Sequence, residues 1–555
     1  MIGVVADPMS HDVVRETFEL LKTPWEIARN GRRYDVVLSA GGRGAEAVTA
    51  KLVIVYSAAT TPVDEAAEAR VGRPRRGRSL SYGTARLPLY GDSVGFGSGE
   101  GVGLAMSEPP HEAAGYVHRA DGRMVVRLGY DLFAEIRALL TSGQPPANAG
   151  VPTLELHLSV LREAITGAGV PLVEIPPVPE GHDLVACLTH DVDHPAIRHH
   201  RWDHTALGFL YRATVGSVLD ACRGRARGRD VVTNWGAALR WPLVHLGLAN
   251  DFWADLGRYR QIDGDRRSTF FVIPFKGRPG RTLTGQAPAM RAAGYGVRDI
   301  ADEVRRLKSS GCEVGVHGID AWVDGVKGRD ELKEVWNIVG GGEIGVRMHW
   351  LYTAEGTAAT LERSGFAYDS TSGYNETVGY RAGTTQVFKP LDATRLLELP
   401  LHVMDTALFS PRYLNLAPRA ARARVRELTD QTVRLGGVLT VNWHDRSLAP
   451  ERLWGDVYRD VVTDLRSRGA WLATASQAVA WFRRRRTIEF DSTDAVRATV
   501  PVDHGDELPG FRLRVHKPRA ARRGALVDGG RPGEYVDRPL SRTELGEPVP
   551  TSVNR

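Results

Sequence analysis

Apolar and polar positions follow two different rhythms along this chain. Up to about Pro179 the pattern is mixed α/β. Tyr34–Ser39 and Lys51–Ser57 are short apolar runs of the kind buried strands show, with the turn-like Gly41-Gly42-Arg43-Gly44 between them. Arg70–Ser79 is basic and carries glycine and proline, which predicts an exposed loop. Ser93–Gly103 is rich in glycine but lacks the lysine and helix start of a phosphate-binding loop, so turns are expected there. Thr153–Gly167 carries Leu154, Leu156, Leu158, Leu161 and Ile165 and is read as a helix. Ile175-Pro-Pro-Val-Pro-Glu-Gly-His182 reads as an extended linker.

Beyond that linker, strand-like and helix-like stretches alternate. The apolar runs are Leu184–Thr189, Ser268–Phe275, Glu313–His317, Gly345–Trp350, Ala367–Thr371, Leu396–Met404, Val438–His444 and Trp471–Ala475. Amphipathic segments such as Asp299–Ser310 lie between them, and a last helix runs into Arg483–Arg486. Such alternation argues for parallel β in βαβ units. About seven strands favour a (β/α) barrel over an open sheet, and polar residues gather at the strand C-terminal ends, where barrel enzymes place their chemistry. Past Phe490 the pattern fades, and Pro501–Arg555 is dominated by Pro, Gly, Asp and Arg. The chain is therefore read as a smaller mixed α/β domain (1–179), a barrel domain (180–486) and a mostly disordered basic tail (487–555). A long insertion at 199–251 carries Trp202, Phe209, Tyr211, Trp235 and Trp241, as either a helical lid or packing.

Composition supports this division and excludes other classes. With 555 residues, 42% hydrophobic and 25% charged, the chain is a multidomain globular protein, not a fibrous or disordered one. No apolar run reaches the ~18 residues of a membrane span. The start, Met1-Ile-Gly-Val-Val-Ala-Asp-Pro8, reads as a strand and not as a signal peptide. Cys187, Cys222 and Cys312 have no CxxC spacing and are read as reduced thiols, so a cytoplasmic location is expected. The net charge is +6, and 15 Lys/Arg against 11 Asp/Glu fall within Arg483–Arg555. A basic tail over a nearly neutral body is a solvated segment, and no nucleic-acid partner is expected.

Five polar clusters sit at successive strand ends. In Thr189-His-Asp-Val-Asp-His194, Asp191 and Asp193 are too close for both to be comfortable as free anions; a divalent cation or an arginine relieves the repulsion, and a solvated turn is the plain alternative. His317 follows an apolar strand; alone such a histidine reads as structural, and with a carboxylate from a neighbouring strand end it is a candidate metal ligand. Arg347 in Gly345-Val-Arg-Met-His-Trp350 holds one aspartate ionised. Asp369 in Tyr368-Asp-Ser-Thr371 orients His444 of Leu439-Thr-Val-Asn-Trp-His-Asp445, leaving its other nitrogen to donate a proton. Trp322, Trp350, Tyr374 and Trp443 are candidates to stack on sugar faces, although aromatics at such spacing commonly belong to a core. A metal phosphohydrolase of the His-Asp type, suggested by His190-Asp191, ranks low because that doublet needs a helix.

From Leu184 to about Arg486 the sequence resembles the polysaccharide deacetylases of the NodB-homology type, carbohydrate esterase family four, with the five motifs in the family's order. The resemblance implies a distorted (β/α) barrel and a zinc-dependent hydrolase acting on an N-acetylated glycan or its precursor. It implies that Asp191 is the base, Asp193 and His317 metal ligands, Arg347 and Asp369 supporting catalytic residues, and His444 the proton donor. A backbone N–H from Tyr380–Thr384 is expected to face the oxyanion. One departure stands out: where the family's H-x-x-x-H has its second histidine this chain has Ala321. Asp320 is the first choice for a third ligand, with His349 and His194 as residues another loop brings near. Ala321 also leaves a second reading, a catalytically silent glycan-binding or scaffold protein on the same barrel.

Overall fold

The computed structural model describes residues 1–42, 44, 48–97, 101–109, 111–120, 122–264, 268–490, 498–499, 508–519, 525–527, 529 and 533–540. They form two compact units: 1–181 with 382–384 and 481–555, and 182–381 with 385–480.

In the first unit the short apolar runs become β1 (Ile2–Val5), β2 (Trp25–Ile27), β3 (Arg33–Ala40), β4 (Thr49–Tyr56), β5 (Gly115–Ala120) and β6 (Arg123–Leu128). They form one sheet in the order β5-β6-β4-β3-β1-β2, in which only the β5–β6 hairpin is antiparallel. Thr153–Gly167 is helical as its spacing predicts, with nearly all positions buried. Just before the proline-rich linker, β7 (Leu172–Glu174) pairs antiparallel with Phe511–His516, which in turn pairs with Tyr535–Leu540. The reading of 487–555 as mostly disordered therefore does not extend to these segments. Phe511 and Leu513 are buried, while Arg514 meets Asp537 at 2.8 Å and His516 meets Glu174 at 3.0 Å. A six-residue alternation of this kind is masked by the arginines and prolines around it. Most of the remaining tail, Arg43 of the glycine turn and 98–100 of the glycine-rich segment lie outside the described residues.

The second unit is built on nine parallel strands: β8 (Leu184–Val192), β9 (Thr269–Val272), β10 (Glu313–Gly318), β11 (Val346–Met348), β12 (Tyr368–Asp369), β13 (Leu397–Glu398), β14 (Val403–Met404), β15 (Val438–Asn442) and β16 (Ala470–Ala473). Their order is β13-β12-β11-β10-β9-β8-β15-β14, curled into a half-barrel. β8 is central. Its first half pairs with β16 (Leu184↔Ala470 to Cys187↔Ala473) and its second half with β9 (Thr189↔Thr269 to Val192↔Val272). All nine of its residues are buried, as a strand covered on both faces must be. The sheet has more strands than the seven or so expected, partly because the run Leu396–Met404 breaks in two around Pro400, which has no N–H for a ladder.

Close packing at the barrel wall fixes where the strand ends stand. A Cβ placed on Gly345, just before β11, would lie 2.0 Å from the Tyr368 ring, whose hydroxyl donates to Glu313 Oε1 at 2.7 Å. The ring is buried and tethered, so it cannot withdraw without breaking that bond. Gly345→Ala is expected to destabilise this unit by about 1–3 kcal/mol, read as a lower urea midpoint.

Candidate metal centre and catalytic cleft

Side chains alternate across a strand, so Thr189 and Asp191 face one side of β8 and His190 the other. His190 belongs to the core: its Nδ1 lies 2.8 Å from Trp443 O and its ring 3.8 Å from that of Tyr259. The His190-Asp191 doublet is thus divided between two faces.

Asp191 is held on three sides. Its Oδ1 accepts from Arg347 Nη1 at 2.9 Å, its Oδ2 from Asn442 Nδ2 at 2.7 Å, and its N–H donates to Asn442 Oδ1 at 3.1 Å. Arg347 is fully buried and fixed in turn by Thr189 Oγ1 (2.8 Å), Ser370 O (3.0 Å) and Ser370 Oγ (2.9 Å). Burial alone raises the Asp191 pKa, but the charges of Arg347, His317 and His444 outweigh it and hold the carboxyl below its usual value. The Arg347 charge thus favours the ionised form of Asp191.

Asp193 lies just beyond β8, next to three imidazoles. Its Oδ1 is 3.3 Å from His317 Nε2 and 3.6 Å from His349 Nε2, and its Oδ2 is 3.7 Å from His444 Nε2. Burial raises its pKa, yet His349, His317 and His444 drive it well below the usual carboxylate range. Ligand atoms of Asp193, His317 and His349 all lie within 4.8 Å of one another. Bonds of ~2.0–2.2 Å to one tetrahedral ion put donor atoms roughly 3.3–3.6 Å apart, which the two Asp193 distances match. Two further observations fit a cation. Asp193 Oδ1 is buried without a hydrogen-bond partner, and His317 Nδ1 lies 3.0 Å from Arg347 O, leaving Nε2 free for a metal.

The third member of this group is His349, not Asp320. Asp320 Oδ2 meets Lys327 Nζ at 2.6 Å, and its Oδ1 accepts from the Arg281 N–H at 2.8 Å. Its charge is neutralised in the loop after β10, away from Asp193. Ala321 is fully buried, and a Cβ on Gly328 would come within 3.2 Å of its own Cβ, so the helix closes where a histidine would stand. His349 arrives instead from the end of β11. The chain turns sharply after it, with Trp350 and Leu351 at φ of 66° and 55°; a left-handed backbone costs roughly 1–2 kcal/mol per such residue, and such strain collects at functional sites.

His444 is oriented by Asp405, not by Asp369. Its Nδ1 lies 2.6 Å from Asp405 Oδ1, and its N–H donates to Asp405 Oδ2 at 2.8 Å. Burial opposes charge on the ring, but Asp405 and the Asp193–Asp191 pair lift the imidazole to about 9. Asp369 instead accepts from Thr371 Oγ1 and sits beside Glu398. Burial pushes both carboxyls up, and for Glu398 the neighbouring Asp369 charge adds to the rise. Asp369 therefore acts at one remove, holding the turn whose Ser370 grips Arg347 and whose Thr371 Oγ1 accepts the Met348 N–H at 3.0 Å.

Asp191, Asp193, His317, His349 and His444 line one cleft of about 1040 Å³. The insertion forms helices over His204–Tyr211, Ser217–Cys222 and Gly228–His245, and its Tyr211, Arg212 and Arg223 line the same cleft. Of the four aromatics proposed to stack on a sugar, only Trp350 lines the cleft. Trp322 and Trp443 are core residues, Trp443 lying between Phe409 and Tyr458, and Tyr374 is buried beneath Arg381. Tyr380 is buried, with its hydroxyl on Leu428 O at 3.2 Å, and neither it nor Arg381 is among the residues that line the cleft.

No family model matches the chain, and no curated protein matches it. Among solved structures 28 chains match. A presumptive polysaccharide deacetylase from Mycobacterium smegmatis is 18% identical, over 56% of this chain and 94% of its own, with a TM-score of 0.35. The allantoinase Puue is 13% identical, over 56% and 92%, with a TM-score of 0.35. A family 4 acetyl xylan esterase from Clostridium thermocellum, solved with a cobalt ion, is 13% identical, over 54% and 91%, with a TM-score of 0.25.

Proposed function

We propose that this chain is a metal-dependent hydrolase that removes acetyl groups from N-acetylated sugars of a polysaccharide or its precursor. The observation that carries the reading is the convergence of an arginine-held aspartate, an Asp-His-His group and an aspartate-held histidine in one cleft. Asp193, His317 and His349 would hold the ion, and zinc suits one carboxylate and two imidazoles. When bound, such an ion supplies Lewis-acid polarisation of the acyl carbonyl.

The remaining work falls to the chain's own groups. Asp191, ionised beside Arg347, takes the proton of the attacking water. Arg347 and Asn442 occupy one lone pair on each of its oxygens, which fixes the plane of the carboxylate. His444 holds its Nδ1 proton against Asp405 and presents Nε2 to the cleft, where a proton passes to the departing amine nitrogen. The amine thus leaves neutral. Sugar as the substrate class rests on the order of the five motifs; the geometry supports acyl-group hydrolysis.

His349 beside Asp193 supports this reading over a silent relative, because the metal group needs nothing from position 321. Acetate release from chitin oligomers by the zinc-loaded protein tests the proposal. Release that stops on chelation and returns with zinc agrees with it; stoichiometric zinc with no release from chitin or peptidoglycan fragments favours the silent reading. Asp405→Asn should lower the rate by roughly 10²–10⁴-fold while leaving zinc content unchanged, since it alters the acid and not the ligands.

A further inference from the structure

Away from the metal group, the insertion between β8 and β9 has an unusual surface. Twelve of the 21 exposed large apolar side chains among the described residues fall between 202 and 248. The helix Gly228–His245 has two apolar faces. Asn234, Ala237, Trp241 and Val244 are buried, the last three in a cluster with Phe209 and Trp253. Val232, Trp235, Leu239, Leu243 and Leu246 recur every three or four residues on the side turned to solvent, with Val232 73% and Leu239 78% exposed. Trp235 is only half exposed and donates to Thr214 O at 3.3 Å, but most of the stripe's apolar surface faces solvent, and apolar surface of this kind marks a docking site.

Charge indicates the partner. Residues 199–248 hold seven arginines, three aspartates and no lysine or glutamate. Arg212 pairs with Glu451, and Arg227 and Arg229 with Asp456. Arg201, Arg223 and Arg240 are exposed and make no ion pair among the described residues. Leucine and tryptophan on one face with free guanidinium groups beside them complement an anionic bilayer, whose phosphates take the arginines while the apolar stripe enters the headgroup–acyl boundary. A two-fold contact of the patch with a second copy would instead oppose like charges. No helix among the described residues is long and apolar enough to cross a membrane, which fits a helix lying in the interface plane.

We propose that this helical insertion docks the protein on an anionic lipid bilayer. Tyr211, Arg212 and Arg223 of the same insertion line the cleft with Asp191 and Asp193, so the docked protein opens its cleft beside the lipid surface. The inference stands apart from the reaction proposed above, because its readout is vesicle binding.

The test is co-sedimentation of the full chain with vesicles of phosphatidylcholine, alone or mixed with phosphatidylglycerol. Binding is expected to the mixed vesicles and to weaken with salt. Val232→Ser/Leu239→Ser/Leu243→Ser should weaken it by on the order of a hundredfold, with an unchanged circular dichroism spectrum because all three side chains face solvent. Arg201→Gln/Arg240→Gln should weaken it about fivefold per arginine, on the order of 25-fold together. Absence of binding to the mixed vesicles, or binding that neither variant alters, overturns the proposal. So does a dimer in light scattering that the serine variant turns into a monomer while vesicles remain unbound.

Discussion

Asp193→Asn is expected to leave the purified protein without stoichiometric zinc after dialysis and to lower acetate release from chitin oligomers by roughly 10³-fold or more. Asp193 is the one carboxylate in the Asp-His-His group, and its Oδ1 is buried without a hydrogen-bond partner. Asparagine keeps the shape but removes the charge that balances a divalent ion, and two imidazoles alone are a poor site. His349→Ala should behave alike. Asp320→Asn should keep both metal and activity, because that carboxylate is spent on Lys327 and the Arg281 N–H. Loss of zinc in Asp320→Asn with retention in His349→Ala would reverse the assignment of the third ligand. Metal content by mass spectrometry reads all three variants.

Arg347→Met should destabilise the barrel unit by about 3–5 kcal/mol. At ~2–4 °C per kcal/mol for a unit of this size, Tm should fall by about 10 °C. The guanidinium is fully buried and binds Asp191, Thr189 and both oxygens of Ser370. Its removal leaves Asp191 buried without its main counter-charge, and burial then pushes that carboxyl toward its protonated form. The variant should therefore lose activity as well as stability. Arg347→Lys should rescue little of either, since one ammonium cannot reach four acceptors set for a planar fork. A thermal midpoint within about 2 °C of the wild type would contradict the role assigned to this side chain.

Much of the barrel was legible in the sequence. Each long apolar run from Leu184 to Ala475 contains a parallel strand, because a strand covered on both faces must be apolar throughout, and the polar residues that interrupt the runs mark the cleft. Asp191, Asp193, His317, Arg347 and His444 come together from four separate segments. What escaped were partners whose signal is the same but fainter. Asp405 follows the two-residue strand Val403–Met404, so it too is a polar residue at a strand end, hidden because Pro400 splits the run. Asn442 is the last residue of its strand and looks like a break in the apolar run Val438–His444 until Asp191 is seen beside it. His349 and Asp320 could not be told apart by spacing, since the choice depends on a backbone turn at Trp350 and Leu351 and on a lysine seven residues beyond Asp320. Three of the four aromatics proposed to stack on a sugar fell to the ordinary rule that large rings fill cores: Trp322, Trp443 and Tyr374 are buried, and of the four Trp350 alone lines the cleft.

The central claim is that Asp193, His317 and His349 hold one ion. Anomalous X-ray scattering at the zinc edge, from crystals of the zinc-loaded protein, tests it most directly. The account predicts one peak within ~2.3 Å of all three side chains. A peak beside Asp320 and away from His349, or no peak in the cleft at saturating zinc, would contradict it.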